Sequence, residues 1–272
     1  MPKSVRAVVY LIVAWPMVAQ SQAFEKITIK PAQSVGQSDM RLQVLPDGDL
    51  IANAVPVVTL LSYAYDVPTN PSPLLSALPD WTVRERYDIE AEAPTQAISP
   101  SLPYSESRSR IQQMIRRLLA DRFGLVMQVE NKTMAVYALT VATGGPNLQK
   151  SATTDCLFDS APLGCHNFVP GFGHPLNAHA IDMDDLAFYI QNWTDLPVVN
   201  RTQLNGLFTV KTEGWLPMRL PPPPPNAVPG PSPFAGLPTI FTVLGRLGLE
   251  LHRQDAVVPV CTVERIERPP AN

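Results

Sequence analysis

The side chains of this 272-residue chain best suited to nucleophilic or metal chemistry are three cysteines and four histidines, and most of them fall close together. Cys156, Cys165, His166, His174 and His179 share one connecting stretch rich in Gly and Pro. Thiolate and imidazole are the ligands zinc prefers, and four of them converging tetrahedrally would make a metal centre. The gap between the two cysteines is wider than the two to four residues of a zinc knuckle, so the pair reads as a local disulfide. That leaves His166, His174 and His179 as candidate metal ligands, and as the residues around which a hydrolase-type site would be built. Cys261 sits in an apolar strand pattern and reads as a buried thiol.

Carboxylates offer two further groupings. Asp182, Asp184 and Asp185 invite a calcium reading, but the repeated D-x-D-x-D-G ligand loop is absent. Asp182 at a helix start with Asp185 three residues on instead resembles a capping box with Asp in place of Glu. Asp121 and Arg122, with Glu130 nearby, read as local ion pairs at a helix end. No G-x-S-x-G, phosphate loop, H-E-x-x-H or Gly-rich dinucleotide turn occurs, so no residue is assigned a catalytic role and no cofactor is expected. Aromatic residues gather in two places, Tyr63, Tyr65, Trp81 and Tyr87 in one and Tyr189, Trp193 and Trp215 in the other. At helical spacing such residues are usually core, though they also suit a sugar- or peptide-binding platform.

These residues must be positioned by regular elements. From Ser107, Ile111, Met114, Ile115, Leu118, Leu119 and Phe123 recur at three- and four-residue steps and predict an amphipathic helix. It should end at Gly124 in a left-handed conformation. A strand over Leu125–Val129, a turn at Asn131-Lys132-Thr133 and a return strand over Met134–Ala142 are expected next. The pattern recurs 124 residues later, with Phe123-Gly124-Leu125 answered by Leu247-Gly248-Leu249. A second offset of 126 aligns Leu50, Ala52 and Leu60 with Leu176, Ala178 and Leu186. Strands are predicted at Phe24–Pro31 and Tyr87–Ala93, a hairpin around Asp47-Gly48, and helices over Pro56–Tyr65, Asp184–Trp193 and Thr239–Leu247. The second copy is completed by a strand over Leu207–Thr212 and by separate strands over Leu249–His252 and Val257–Glu264. The expected fold is α+β: two tandem duplicated units, each strand–helix–strand–helix–strand–strand, with helices packed on small mixed or antiparallel sheets. The first unit spans 24–150, a connector with the cysteine pair 151–174, and the second unit 175–272. Within the second unit, 216–238 is an insertion whose Pro221–Pro225 run predicts polyproline II.

Composition narrows the class. Charged residues make up 17% and hydrophobic ones 45%, enough for a real core. The formal charge is −3 with no long basic run, which argues against nucleic acid or an anionic membrane as the main partner. Residues 1–23 read as a signal peptide: Lys3 and Arg6, an apolar Ala7–Val18 run, and the small-x-small Ser21-Gln22-Ala23. Cleavage there leaves no membrane anchor and 19 basic against 24 acidic residues, a charge of −5. The expected location is periplasmic or extracellular.

Several phrases taken together resemble a known set of proteins: Phe24-Glu25…Ile29-Lys30-Pro31, Pro79-Asp80-Trp81, Arg86-Tyr87-Asp88-Ile89-Glu90-Ala91, Leu118–Phe123, Gly144-Gly145-Pro146-Asn147-Leu148 and Val263–Pro269. The chain resembles the large family of exported acidobacterial proteins first noticed as a Solibacter paralogous set, a domain of unknown function. The resemblance implies export and brings no activity or ligand. Locally, Ala178–Val210 is similar to the short N-terminal domains of secretins and TonB-dependent receptors, which dock partners in the cell envelope. The expectation is an exported, non-enzymatic interaction or scaffolding module that takes an envelope or secreted protein partner by strand addition. Its alternative is a hydrolase, metal-dependent or not, with a site near His166–His179.

Overall fold

The computed structural model describes residues 23–33, 40–70, 72–99, 101–154, 156, 164–219 and 232–270. The expected signal segment up to residue 22 and the Pro221–Pro225 run lie outside them. Alternating residues Lys26–Pro31 form β1. Arg41–Val44 (β2) and Leu50–Pro56 (β3) make the expected hairpin. Its turn is closed by the Gly48 N–H donating to the Leu45 carbonyl at 2.9 Å, with Gly48 at φ 100°. Val57–Tyr65 (α1) follows without a break. Leu75–Ser76 (β4), Trp81–Arg84 (α2) and Arg86–Glu92 (β5) lead to the 20-residue helix Tyr104–Phe123 (α3). Every residue of its apolar stripe is at most 1% exposed, and it ends at left-handed Gly124, as the pattern predicts.

Val126–Val141 is a single strand, β6. The second half then runs through Gln149–Lys150 (β7), Ala178–Ile181 (β8), Met183–Gln191 (α4), Val198–Asn200 (β9), Phe208–Val210 (β10), Ile240–Arg246 (α5) and Leu249–Arg265 (β11). The α+β class stands. The architecture is three small sheets, ordered β1-β5-β3-β2, β7-β10-β8 and β4-β11-β6-β9.

The third sheet corrects the sequence reading. No turn forms at Asn131-Lys132-Thr133, and nothing interrupts the strand between His252 and Val257. A tight hairpin turn needs residues at positive φ, and this segment has neither glycine nor a residue in that conformation. Instead β6 and β11 pair antiparallel along almost their whole length, from Leu249↔Val141 to Arg265↔Val126. Thr133 faces Val257, the residue 124 positions on, so the ladder is centred on a pair of corresponding residues. Both outer partners run parallel: β4 meets β11 at Cys261↔Leu75, and β9 meets β6 at Tyr137↔Val198.

Each strand of this ribbon crosses from one core to the other. The first core holds α1, α3 and the first sheet, and it also takes Val258, Val260, Cys261, Val263 and Ile266 from the far end of the chain. The second core packs α4, α5 and Trp215 around Leu139 of β6 and Leu249 and Leu251 of β11. The expected units at 24–150 and 175–272 are therefore interlocked, because each lends a strand to the other's core.

Candidate functional site

A cleft of about 820 Å³ opens where the two halves meet. Its walls are the start of α3 (Tyr104, Arg108, Gln112), the residue after α1 (Asp66), the connector (Cys156, His166) and the start of α4 (Asp182, Asp184, Asp185). At the start of α4 the capping box forms as its spacing predicts. Asp182 Oδ1 accepts the N–H groups of Asp184 (2.9 Å) and Asp185 (2.8 Å), while Asp185 Oδ2 accepts the Asp182 N–H at 2.9 Å.

His166 is delivered to this box by the connector. It follows Cys165, whose disulfide to Cys156 forms as expected, and Cys261 remains a free, buried thiol. The His166 backbone is left-handed (φ 61°) and its N–H donates to the Ala180 carbonyl at 2.7 Å, which ties the connector to β8. Its ring lies flat on Tyr104, with centroids 3.9 Å apart and 9° between planes. His166 Nδ1 is 2.5 Å from Asp185 Oδ2 and 3.9 Å from Asp182 Oδ2. The His166 and Asp185 side chains are 10% and 9% exposed, so this contact is made away from solvent. Burial, and then the neighbouring Asp185 charge, push the Asp182 carboxyl above the ordinary carboxylate range. Burial pushes the Tyr104 hydroxyl up to about 12. Across the cleft Asp66 accepts from Arg108 at 2.5 Å and from Gln112 at 2.9 Å, so that carboxylate is already matched.

Of the three candidate histidines, only His166 joins the acidic group; among the described residues it forms with Asp182 and Asp185 a set that could hold an ion. His174 stacks on Trp193 with centroids 3.5 Å apart, and burial pushes its pKa down. His179 is exposed on β8. The other groupings are structural. Asp121 pairs with Arg117 on the same helix, Arg122 donates to the Ile27 carbonyl, and Glu130 bonds Gln128 and Lys132 along β6. The aromatic groups are largely packing: Tyr87 meets Phe123 edge-on, Tyr189 stacks on Phe168, and Trp215 is wholly buried. Tyr104, Arg108, Asp66 and Gln112 were not singled out by sequence. They lie 54 or more residues before His166, and only their place at helix ends or off the apolar stripe sets them apart from the core.

Neither a curated protein nor a solved structure matches the chain. Residues 58–266 match a protein-family profile described as a protein of unknown function, DUF3738, a span that takes in α1 from Val58 on, both ribbon strands and every wall of the cleft. The chain belongs to the DUF3738 family.

Proposed function

We propose that this protein is an exported, non-enzymatic binding module of the cell envelope, built by internal duplication, that captures an extended segment of a partner protein by strand addition. The observation that carries the reading is the free outer edge of β6. Among the described residues, partner strands cover β6 on that side only at Tyr137–Leu139, and residues 128–133 are all exposed. The Tyr137 N–H reaches the Pro197 carbonyl and the Leu139 carbonyl accepts from Arg201, so odd-numbered residues of β6 point their backbone outward. Val129, Asn131 and Thr133 share that parity and offer N–H and C=O groups to an incoming strand. On β11 the corresponding outward row ends at exposed Pro259, which shares the parity of Cys261, whose N–H reaches the Leu74 carbonyl. A proline there has no ladder bond to lose and blunts that end of the β11 edge. The resemblance of Ala178–Val210 to docking domains and the amino-terminal signal pattern support the same reading.

Replacing Asn131 with Pro removes one outward N–H without touching the ladder to β11, whereas Asn131→Ala keeps it. Capture from the native envelope should be lost in the first variant and kept in the second, with the far-UV spectrum unchanged in both. Simultaneous Ala replacement of His166, His174 and His179 should leave capture intact. Loss of capture in that variant, with retention in Asn131→Pro, would favour the second reading, a hydrolase. The observation on its side is the close His166–Asp185 pair inside the cleft.

A further inference from the structure

We infer that His166, Asp182 and Asp185 form a zinc site that opens into the cleft between the halves. It uses no residue of the β6 edge and goes beyond strand capture. One ligand atom from each residue lies within 4.8 Å of the others. Zinc bound at roughly 2.0–2.2 Å by nitrogen and oxygen in a tetrahedron holds its ligand atoms roughly 3.3 Å apart. The two spacings from His166 Nδ1, 2.5 Å to Asp185 and 3.9 Å to Asp182, bracket that value. A shift of the imidazole by roughly an ångström or less, sliding over the Tyr104 face, brings both to zinc-binding distance.

Asp185 Oδ2 accepts the Asp182 N–H and keeps a second lone pair for a metal. The helix cap uses Asp182 Oδ1 and leaves Oδ2 facing His166. The His166 backbone is tied to Ala180 and its ring is held flat on Tyr104. With zinc on Nδ1, the neutral ring carries its proton on Nε2. Asp182 and Asp185 stand side by side in a partly desolvated place with His166 in contact, while Arg108 across the cleft is paired with Asp66. An imidazole nitrogen with two carboxylates suits zinc and disfavours calcium and magnesium, which take all-oxygen shells. Three protein ligands leave a fourth position toward the cleft, which an anionic or neutral donor from solution can fill.

The test is calorimetric titration of chelator-treated, tag-free protein, disulfide intact, with zinc chloride, and with calcium and magnesium chlorides in parallel. One zinc per chain is expected, with no calcium or magnesium binding of comparable strength. Asp182→Asn keeps an oxygen for the cap and loses the second one, and His166→Gln loses the imidazole; each should weaken zinc at least tenfold. His174→Ala and His179→Ala should bind as the parent does. Absence of stoichiometric zinc overturns the proposal, as does parent-like affinity in both site variants, which would mark an adventitious ion. If a variant loses its fold without metal, the unmodified chain decides by hydrogen exchange. Zinc should protect the amides around 166 and 182–185, and protection confined to other segments overturns the site.

Discussion

Two helices stand in corresponding places ahead of the ribbon strands, and they differ greatly in length: α3 has 20 residues and α5 has seven. The first half sets its long helix and α1 against a four-stranded sheet. The second half has strands of two to four residues in its own sheet and puts more of its chain into connections: the disulfide, stacked aromatic pairs and the capping box. The walls of the cleft that carry the His–Asp group come from this second, irregular half. Yet the larger core does not stand alone, since the last strand of the chain completes it. The halves are unequal in size and alike in dependence.

The most direct way to break that comparison is to end the chain after Ala256. This removes Val258, Val260, Cys261, Val263 and Ile266 from the first core. At about 1.5–3 kcal/mol for each buried apolar side chain, the loss is about 10 kcal/mol, as large as the whole stability of an ordinary domain. Residues 40–123 should then lose near-UV dichroism and slow amide exchange, although the deletion lies more than 130 residues away in sequence. A first half that stays folded would restore the local hairpin expected from sequence.

Corresponding glycines sharpen the contrast at intermediate size. Gly124 and Gly248 both close a helix at positive φ (58° and 69°). A Cβ on Gly124 meets only the Glu267 side chain, at 3.8 Å, so Gly124→Ala should cost about 1–2 kcal/mol from the left-handed backbone alone. On Gly248 it would run into the backbone of Gly145, Pro146 and Asn147, with the Asn147 N at 2.7 Å. Gly248→Ala should cost at least about 2 kcal/mol more, read from denaturant midpoints at constant slope.

The smallest effect concerns the ends of the ribbon. Past β11, Arg268 holds Glu85 of the first half by hydrogen bonds of 2.6–3.0 Å and lies over the Trp81 ring. The corresponding position past β6 is Gly144, which has no side chain to make such a clamp. The Arg268 hydrogen bond pulls the Glu85 carboxyl below its ordinary 4.5. The unfolded chain therefore binds that proton first, so the contribution is present above about pH 4.5 and lost as pH falls through the lower folded value. Glu85→Gln should remove a small part of the acid limb of stability, and mainly at low salt, because both groups are exposed. An unchanged acid limb in Glu85→Gln would show that the clamp contributes nothing.

What sequence alone determined is what depends on near neighbours. The stripe Ile111–Phe123, the left-handed glycines, the Asp47-Gly48 turn, the Asp182/Asp185 box and the Cys156–Cys165 closure are each set by a few adjacent residues and their steric or hydrogen-bonding limits. Which strand pairs with which was decided only in tertiary structure. A period of two says which face of Leu125–Ala142 is apolar, but a local hairpin and a ribbon shared between halves bury the same faces with the same kinds of contact. The absence of a glycine at 131–133 was the one local sign of the ribbon. The cleft was decided in the same way. Tyr104 lies under His166 because the crossed strands bring α3 against the start of α4, and no spacing within either half encodes that meeting.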